Sequence, residues 1–198
     1  MPTLSFKDRG AAVLVSYIKS LGIKSVVQDS SGNAGNSVAA YCGRVGIDCE
    51  IFVPEGTSDK KICMIEAHGA KAVVVPGNRD HCAEVCREKV EKEGIYYANH
   101  VYNPFFYEGT KTYIYETYEQ MGRIPEILAY INKYKVQGVV IPEDKILPAR
   151  EKIARQGIYC EHTTAAVYAG YERYCEEHGE PDEALLSMCG AGLKSDHG

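Results

Sequence analysis

The chain has 198 residues, of which 45% are hydrophobic and 25% charged, the balance of a globular protein able to bury a sizeable core. Its formal net charge is −5 and its basic residues form no stripe, which argues against a nucleic-acid partner. Apolar runs such as "AKAVVVPG" are too short to span a bilayer, so no membrane partner is expected.

In chain order, "KSVVQDS" reads as a buried strand and "GNAGNSVAAYCGRVG" as an alanine-rich helix that Gly46 is placed to end. The strand "CEIFVP", the helix "SDKKICMIEAHG" and the strand "AKAVVVPG" follow. A helix over about Arg79 to Glu93 and the strand "IYYAN" come next. Continuous apolar strands alternating with helices predict an α/β fold, a parallel sheet with helices on both faces in three α/β/α layers. The stretch from about Lys24 to Asn99 is expected to form one four-strand unit. Beyond it, "EGTKTYIYETYEQMG" predicts a tyrosine-rich helix with Tyr113, Ile114, Thr117, Tyr118 and Met121 at helical spacings. "ILAYINKYK" reads as a short helix, "GVVIPEDK" as a strand, "PAREKIARQG" as a helix, "IYCEHTTAAVYAGYERYCEEHG" as a strand and helix, and "ALLSMCGAG" as a last strand. One join is odd, because "MGRIPEILAYINKYK" runs from helix to helix with only a brief break.

Eight cysteines occur without a CxxC pair. The start "MPTLSFKDRG" reaches charges at once and has no apolar signal region, so the cysteines read as reduced thiols of a cytoplasmic protein. Cys82 and Cys86, and Cys175 and His178, share helix faces, but neither pair makes a four-ligand site, and His68, His81 and His100 are isolated; no metal is expected. Glu161 and His162 precede a helix that Thr163 or Thr164 could cap.

Two stretches could carry chemistry. In "QDSSGNAGN" a strand ends, small polar residues follow and a helix begins near Asn33, whose unpaired N–H groups and dipole make an anion site. The spacing is neither GxGxxG nor a P-loop, so no nucleotide site is indicated, and a plain capped helix on a tight turn has the same signature. Lys7, in "LSFKDRG", is either a charged helix start or a nucleophile whose amine is tuned by apolar neighbours and a cation such as Arg9. Arg9 could equally pair with Asp8.

Taken together, "SFKDRG", "SSGNAGNSVAAYCGRVGI", "GTSDKKICMIEAHGAKAVVVPGN", "NPFFYEGTKT", "GIYCEHTTAA" and "CGAGLKS" resemble threonine synthase and its relatives, the fold-type II pyridoxal-phosphate enzymes of the tryptophan synthase β group. The resemblance implies pyridoxal 5'-phosphate as cofactor and a small amino-acid substrate, with a homodimer possible. Lys7 matches the lysine that forms a Schiff base with the cofactor, Asn33 the asparagine at its phenolic oxygen, and Cys189 the small polar residue at its pyridine nitrogen. Ser30, Ser31, Gly32, Asn33 and Ala34 match the cradle for the substrate carboxylate, and Asn99 a position near the substrate phosphate. The implied reaction takes O-phospho-L-homoserine and water to L-threonine and phosphate, with Lys7 moving protons at the substrate's Cα and Cβ. A threonine or serine dehydratase, a cysteine synthase-like β-replacement enzyme and a non-catalytic ligand-binding remnant are the alternatives.

Three departures from the family stand out. The glycine- and asparagine-rich loop for the cofactor phosphate is expected just after "EQMGRIPE", where "ILAYINKYK" follows instead; a central segment is read as missing there. Only "MPTL" precedes "SFKDRG", so the N-terminal region is read as missing too. Phe105, Phe106 and Tyr107 stand where the arginine for the substrate phosphate is expected. Residues 24–121 are expected to form a small α/β domain carrying the carboxylate loop. Residues 1–23 with 122–198 are expected to be the remainder of a larger, incomplete cofactor-binding domain.

Overall fold

The computed structural model describes residues 1–121 and 139–192. They fall into two compact units, the first ending at Tyr113 and the second beginning at Ile114.

The first unit is a parallel sheet of β1 (Ser25–Gln28), β2 (Asp48–Pro54), β3 (Lys71–Val75) and β4 (Tyr96–Tyr97), in the spatial order β3-β2-β1-β4. The expected alternation is present: α1 (Lys7–Ser20) precedes β1, and α2 (Asn33–Val45), α3 (Asp59–Glu66) and α4 (Arg79–Glu93) join the strands. α5 (Pro104–Thr110) follows β4, and the chain then enters α6 (Thr112–Met121), whose residues from Ile114 onward belong to the second unit. Period-two alternation sends strand residues to opposite faces. Val26, Ile51 and Val53 enter a core with Leu14, Ile18, Val38, Cys42 and Phe106 from α1, α2 and α5. Val27, Phe52 and Val75 enter another with Cys82 and Cys86 from α4. Helices therefore cover both faces, the condition under which a parallel sheet is stable. Gly46 ends α2 in the left-handed conformation, φ 73°, as its place in the sequence predicts. Asn103 caps α5 by accepting from the Phe105 N–H at 3.1 Å, and Pro104 fills the first helical position. The expected single tyrosine-rich helix is divided between α5 and α6; Thr117 is buried, while the side chains of Tyr118 and Met121 lie outside the described residues.

The second unit is built on α7 (Ile146–Arg155) and α8 (His162–His178), packed through Ile153, Cys160 and Ala165. The helix expected at "ILAYINKYK" and the position expected for the phosphate loop lie outside the described residues. Two strand expectations are corrected. Residues 139–142 form no ladder among the described residues: Pro142 has no N–H to give, and the Val140 carbonyl accepts from Arg173 Nη1 at 2.7 Å. "ALLSMCGAG" contributes one antiparallel bridge, Ala191 to Cys160, because the Cys189 N–H is taken by Thr164 Oγ1 at 3.0 Å. Thr164 is thus committed inside α8, whose N-cap is Glu161 and makes no side-chain cap, so the capping role open to Thr163 or Thr164 is not taken.

Candidate functional site

In a β-α-β unit the helices run back against the strands, so helix starts and strand ends gather at the carboxyl edge of the sheet. Lys7, the loop at residues 29–33, Arg79 and Asn99–His100 all lie on this edge by chain order.

Lys7 is half-buried at the start of α1. Its Nζ lies 4.8 Å from the centre of the Phe6 ring and 5.9 Å from that of Phe106. Leu4 is exposed at φ 55°, a left-handed backbone uncommon for a residue other than glycine, so the apolar surroundings of Lys7 come from the two phenylalanines. Asp8 is buried and accepts from Thr3 N at 2.9 Å and Thr3 Oγ1 at 2.6 Å; the same hydroxyl meets Ser37 Oγ of α2 at 3.0 Å. Asp8 thus ties the entry turn of α1 to α2, and the Arg9 guanidinium reaches Thr112 Oγ1 at 3.2 Å. Gly10 and Gly109 explain the closeness of α1 and α5. A Cβ on Gly10 would lie 2.5 Å from the Phe106 ring, and one on Gly109 2.0 Å from the Arg9 carbonyl oxygen. The glycines of "KDRG" and "YEGT" are therefore what lets Phe106 lie against the first turn that carries Lys7.

The loop after β1 is drawn tight by its own polar atoms. Gln28 Oε1 accepts from Ser30 N at 3.1 Å, and Ser30 Oγ from Gly32 N at 3.3 Å. Ser30 and Ala34 are buried, Ser31 and Asn33 half-buried and Gly32 exposed. A Cβ on Gly35 would lie 1.8 Å from the Ser30 carbonyl oxygen, so the loop folds onto α2 only with glycine there. Gly32 stands at the N-cap with no side-chain cap, leaving the helix start to its backbone N–H groups.

Asn99 makes the neighbouring knot. Its Nδ2 donates to Asp29 Oδ1 at 2.6 Å and to the Tyr97 hydroxyl at 3.0 Å, and its Oδ1 accepts from Val101 N at 2.6 Å and Tyr102 N at 3.1 Å. Two donors and two lone pairs are thereby used. The adjacent His100 ring meets Phe106 edge-on at 5.7 Å between centres. Burial first, then the positive charges of Lys7 and Arg79, hold the imidazole below its usual pKa against the opposing pull of Asp29. His100 and Phe106 were not among the residues singled out as functional; the only sequence signal for His100 was its place just past the fourth strand.

In the second unit Cys189 is half-buried, with its backbone N–H on Thr164 Oγ1. Glu161 N donates to the Gly190 carbonyl at 3.1 Å, and a Cβ on Gly190 would lie 2.8 Å from the Glu161 carboxylate. The turn carrying Cys189 is therefore held against the start of α8. Among the described residues no group of three or more His, Cys, Asp or Glu could hold a metal ion, and no helix is long and apolar enough to cross a membrane.

The family description "Pyridoxal-phosphate dependent enzyme" matches residues 1–129. The chain belongs to this family. Its curated relatives include threonine synthases of Halalkalibacterium halodurans, 37% identical over 129 residues that are 65% of this chain and 36% of the relative, and of Methanocaldococcus jannaschii, 37% identical over 127 residues that are 63% and 31%. The matched stretch thus spans about a third of the length of these relatives. Among solved structures, an O-ureido-L-serine synthase superposes with a TM-score of 0.78 at 18% identity, covering 98% of this chain and 82% of the other. A pyridoxal 5'-phosphate-dependent aspartate racemase gives 0.81 at 18% identity, covering 96% and 81%. The architecture is that of the fold-type II enzymes, and the family's cofactor is pyridoxal 5'-phosphate. The residues present suit such an anionic ring. A half-buried lysine stands between two phenyl rings, and a glycine-tightened loop opens a helix without a side-chain cap. Beneath that loop the buried Gln28 Nε2 and both amide atoms of Asn36 have no partner among the described residues.

Proposed function

We propose that the whole protein is a pyridoxal-phosphate-dependent carbon–oxygen lyase of the threonine synthase type, taking O-phospho-L-homoserine and water to L-threonine and phosphate. The setting of Lys7 carries this reading: a half-buried amine between Phe6 and Phe106, held in place by the buried Asp8–Thr3 bonds. Identity of 37% to threonine synthases over the same stretch supports it. When bound, the cofactor supplies an electron sink that acidifies the substrate's Cα. Lys7 Nζ would hold the cofactor and then take and return the proton at that carbon. Ser30, Ser31, Gly32, Asn33 and Ala34 would bind the substrate carboxylate through the start of α2, which fits a helix whose N-cap is Gly32 and makes no side-chain cap. Asn33 would also orient the cofactor's ring oxygen, and Cys189 would face its ring nitrogen without adding charge. Asn99 would act near the substrate phosphate by shaping the turn, since its own polar atoms are engaged. Residues 24–121 would be the smaller domain and 1–23 with 122–198 part of the cofactor-binding domain, in a possible homodimer.

The run Phe105-Phe106-Tyr107 favours a second reading, a dehydratase or β-replacement enzyme of the same fold, because no guanidinium stands there for a phosphate. The test is borohydride reduction with pyridoxal phosphate followed by peptide mapping. A pyridoxyl label at Lys7, absent from Lys7→Ala, is expected; no label in the unaltered chain sinks the enzyme reading for it. Phosphate release from O-phospho-L-homoserine, set against ammonia release from threonine or serine, then decides the substrate.

A further inference from the structure

Residues 181–188 form neither helix nor strand, and the order that follows them is concentrated in residues 189–192. The Gly192 N–H donates to the Tyr159 carbonyl at 3.0 Å and the Glu161 N–H to the Gly190 carbonyl at 3.1 Å, on either side of the Cys160–Ala191 bridge. Both glycines are covered at close range. A Cβ on Gly190 would lie 2.8 Å from the Glu161 carboxylate, and one on Gly192 2.6 Å from the Tyr159 ring. Arg150 braces the facing stretch: its Nε donates to the Cys160 carbonyl at 2.8 Å, and its guanidinium lies 4.7 Å from the centre of the Tyr159 ring.

Thr164 adds a tie of another kind. A threonine in the first turn of a helix ordinarily spends its hydroxyl on its own helix or on water. Thr164 is buried, and its Oγ1 accepts from the Cys189 N–H at 3.0 Å, 25 positions away, while α8 has no side-chain cap. With its N–H fixed by Thr164 and the next residue fixed through the Gly190 carbonyl, Cys189 has little freedom to turn its Cα–Cβ bond. The thiol so held is half-buried rather than enclosed. A side chain that must meet a ring atom works only within about 0.5 Å of its proper place, and a second layer of hydrogen bonds is what holds it there.

We propose that Thr164 is a positioning residue: through the Cys189 N–H it aims the thiol at the ring nitrogen of the bound cofactor. This rests on the reading above, in which Cys189 faces that nitrogen.

The test alkylates the full chain with iodoacetamide at pH 8, with and without pyridoxal phosphate. Peptide mass spectrometry reads the rate at Cys189, with the exposed Cys63 as internal reference. Pyridoxal phosphate should slow Cys189 and leave Cys63 unchanged; inorganic phosphate, which lacks the ring, should slow neither. Thr164→Val keeps the shape and loses the acceptor, so half-protection of Cys189 should take about fivefold more pyridoxal phosphate. Thr164→Ser keeps the hydroxyl and should keep the parent's midpoint, as should Thr163→Val at the exposed neighbour. A threonine that only supports the fold would lower the melting temperature of Thr164→Val and leave the midpoint where it was, which overturns the proposal. So does equal slowing by inorganic phosphate, or a folded Thr164→Ser that loses protection, an outcome that is read even where Thr164→Val does not fold. Borohydride labelling of Lys7 is run on the same samples. Label present with Cys189 unprotected removes the positioning role and leaves the lyase reading. Label absent with Thr164-dependent protection removes the lyase reading and leaves the positioning role.

Discussion

The face of the sheet covered by α1, α2 and α5 and the face covered by α4 bury the same strands by different means. On the first, helices approach through glycine: a Cβ at Gly10, Gly35, Gly43 or Gly109 would lie 2.5 Å or less from a neighbouring atom. On the second, α4 carries no glycine and fills the space with Cys82 and Cys86 beside Val27, Phe52 and Val75. Lys7 and the loop at Ser30 belong to the glycine face. Close backbone approach fixes where a lysine amine and a row of N–H groups stand, with little slack for repacking. The thiol face is a packed layer of side chains and has more room to adjust.

The largest effect is expected where the glycine face concentrates its contacts. Phe106 is 1% exposed, lies on Gly10 and faces Lys7, so Phe106→Ala should lower stability by about 4 kcal/mol in urea unfolding. Gly109→Ala tests the approach itself. Its new methyl would meet the Arg9 backbone, which cannot swing aside as a side chain could, and a loss of about 3 kcal/mol is expected. If Gly109→Ala unfolds at the same urea concentration as the parent, α1 and α5 are not in close contact and the contrast between the faces fails.

The sheet was legible because four apolar runs alternate with helical ones, and the two-residue period alone assigns Val26 and Val27 to opposite cores. The loop at Ser30 was legible as a helix start but not as a ligand site, since a capped helix has the same local signature. Lys7 was less so. Its setting depends on Phe106, 99 positions later, and on two glycines that no local pattern marks as contact points. In the second unit, apolar content suggested strands at "GVVIPEDK" and "ALLSMCGAG"; hydrophobicity predicts burial, but a ladder also needs a neighbour with free N–H and C=O groups, which Arg173 and Thr164 have pre-empted.

The thiol face makes its own prediction in alkali. Burial, the largest cause, followed by the charge of Asp29, pushes Cys86 from an ordinary 9.0 up to about 12 and Cys82 up to about 11. Above pH 9 the unfolded chain releases these protons while the folded chain keeps them, so folding binds more protons and stability falls as pH rises. The loss should run from about pH 9 toward 12, and Cys86→Ala should flatten its upper part in a pH series of thermal melts. At pH 8 the exposed Cys63 should alkylate first, with Cys82 and Cys86 protected until the fold opens.

The smallest effect belongs to the rim of the same face. Glu50 of β2 accepts from Lys89 Nζ of α4 at 2.6 Å and from Lys71 Nζ of β3 at 3.2 Å. The Lys89 hydrogen bond, opposed by burial and helped by Lys71, lowers the Glu50 carboxyl pKa, so the stability it contributes is present at neutral pH and is lost as pH falls through that lowered value. Water reaches all three side chains, which limits the contribution to about 0.5 kcal/mol, and Glu50→Gln should cost that much in urea. Salt screens such a pair, so the difference between Glu50→Gln and the parent should shrink in 1 M sodium chloride, where the Debye length is about 3 Å. A difference that persists in salt would mean that Glu50 acts through packing, and α4 would then be held by fit along its rim as closely as α1 is held by its glycines.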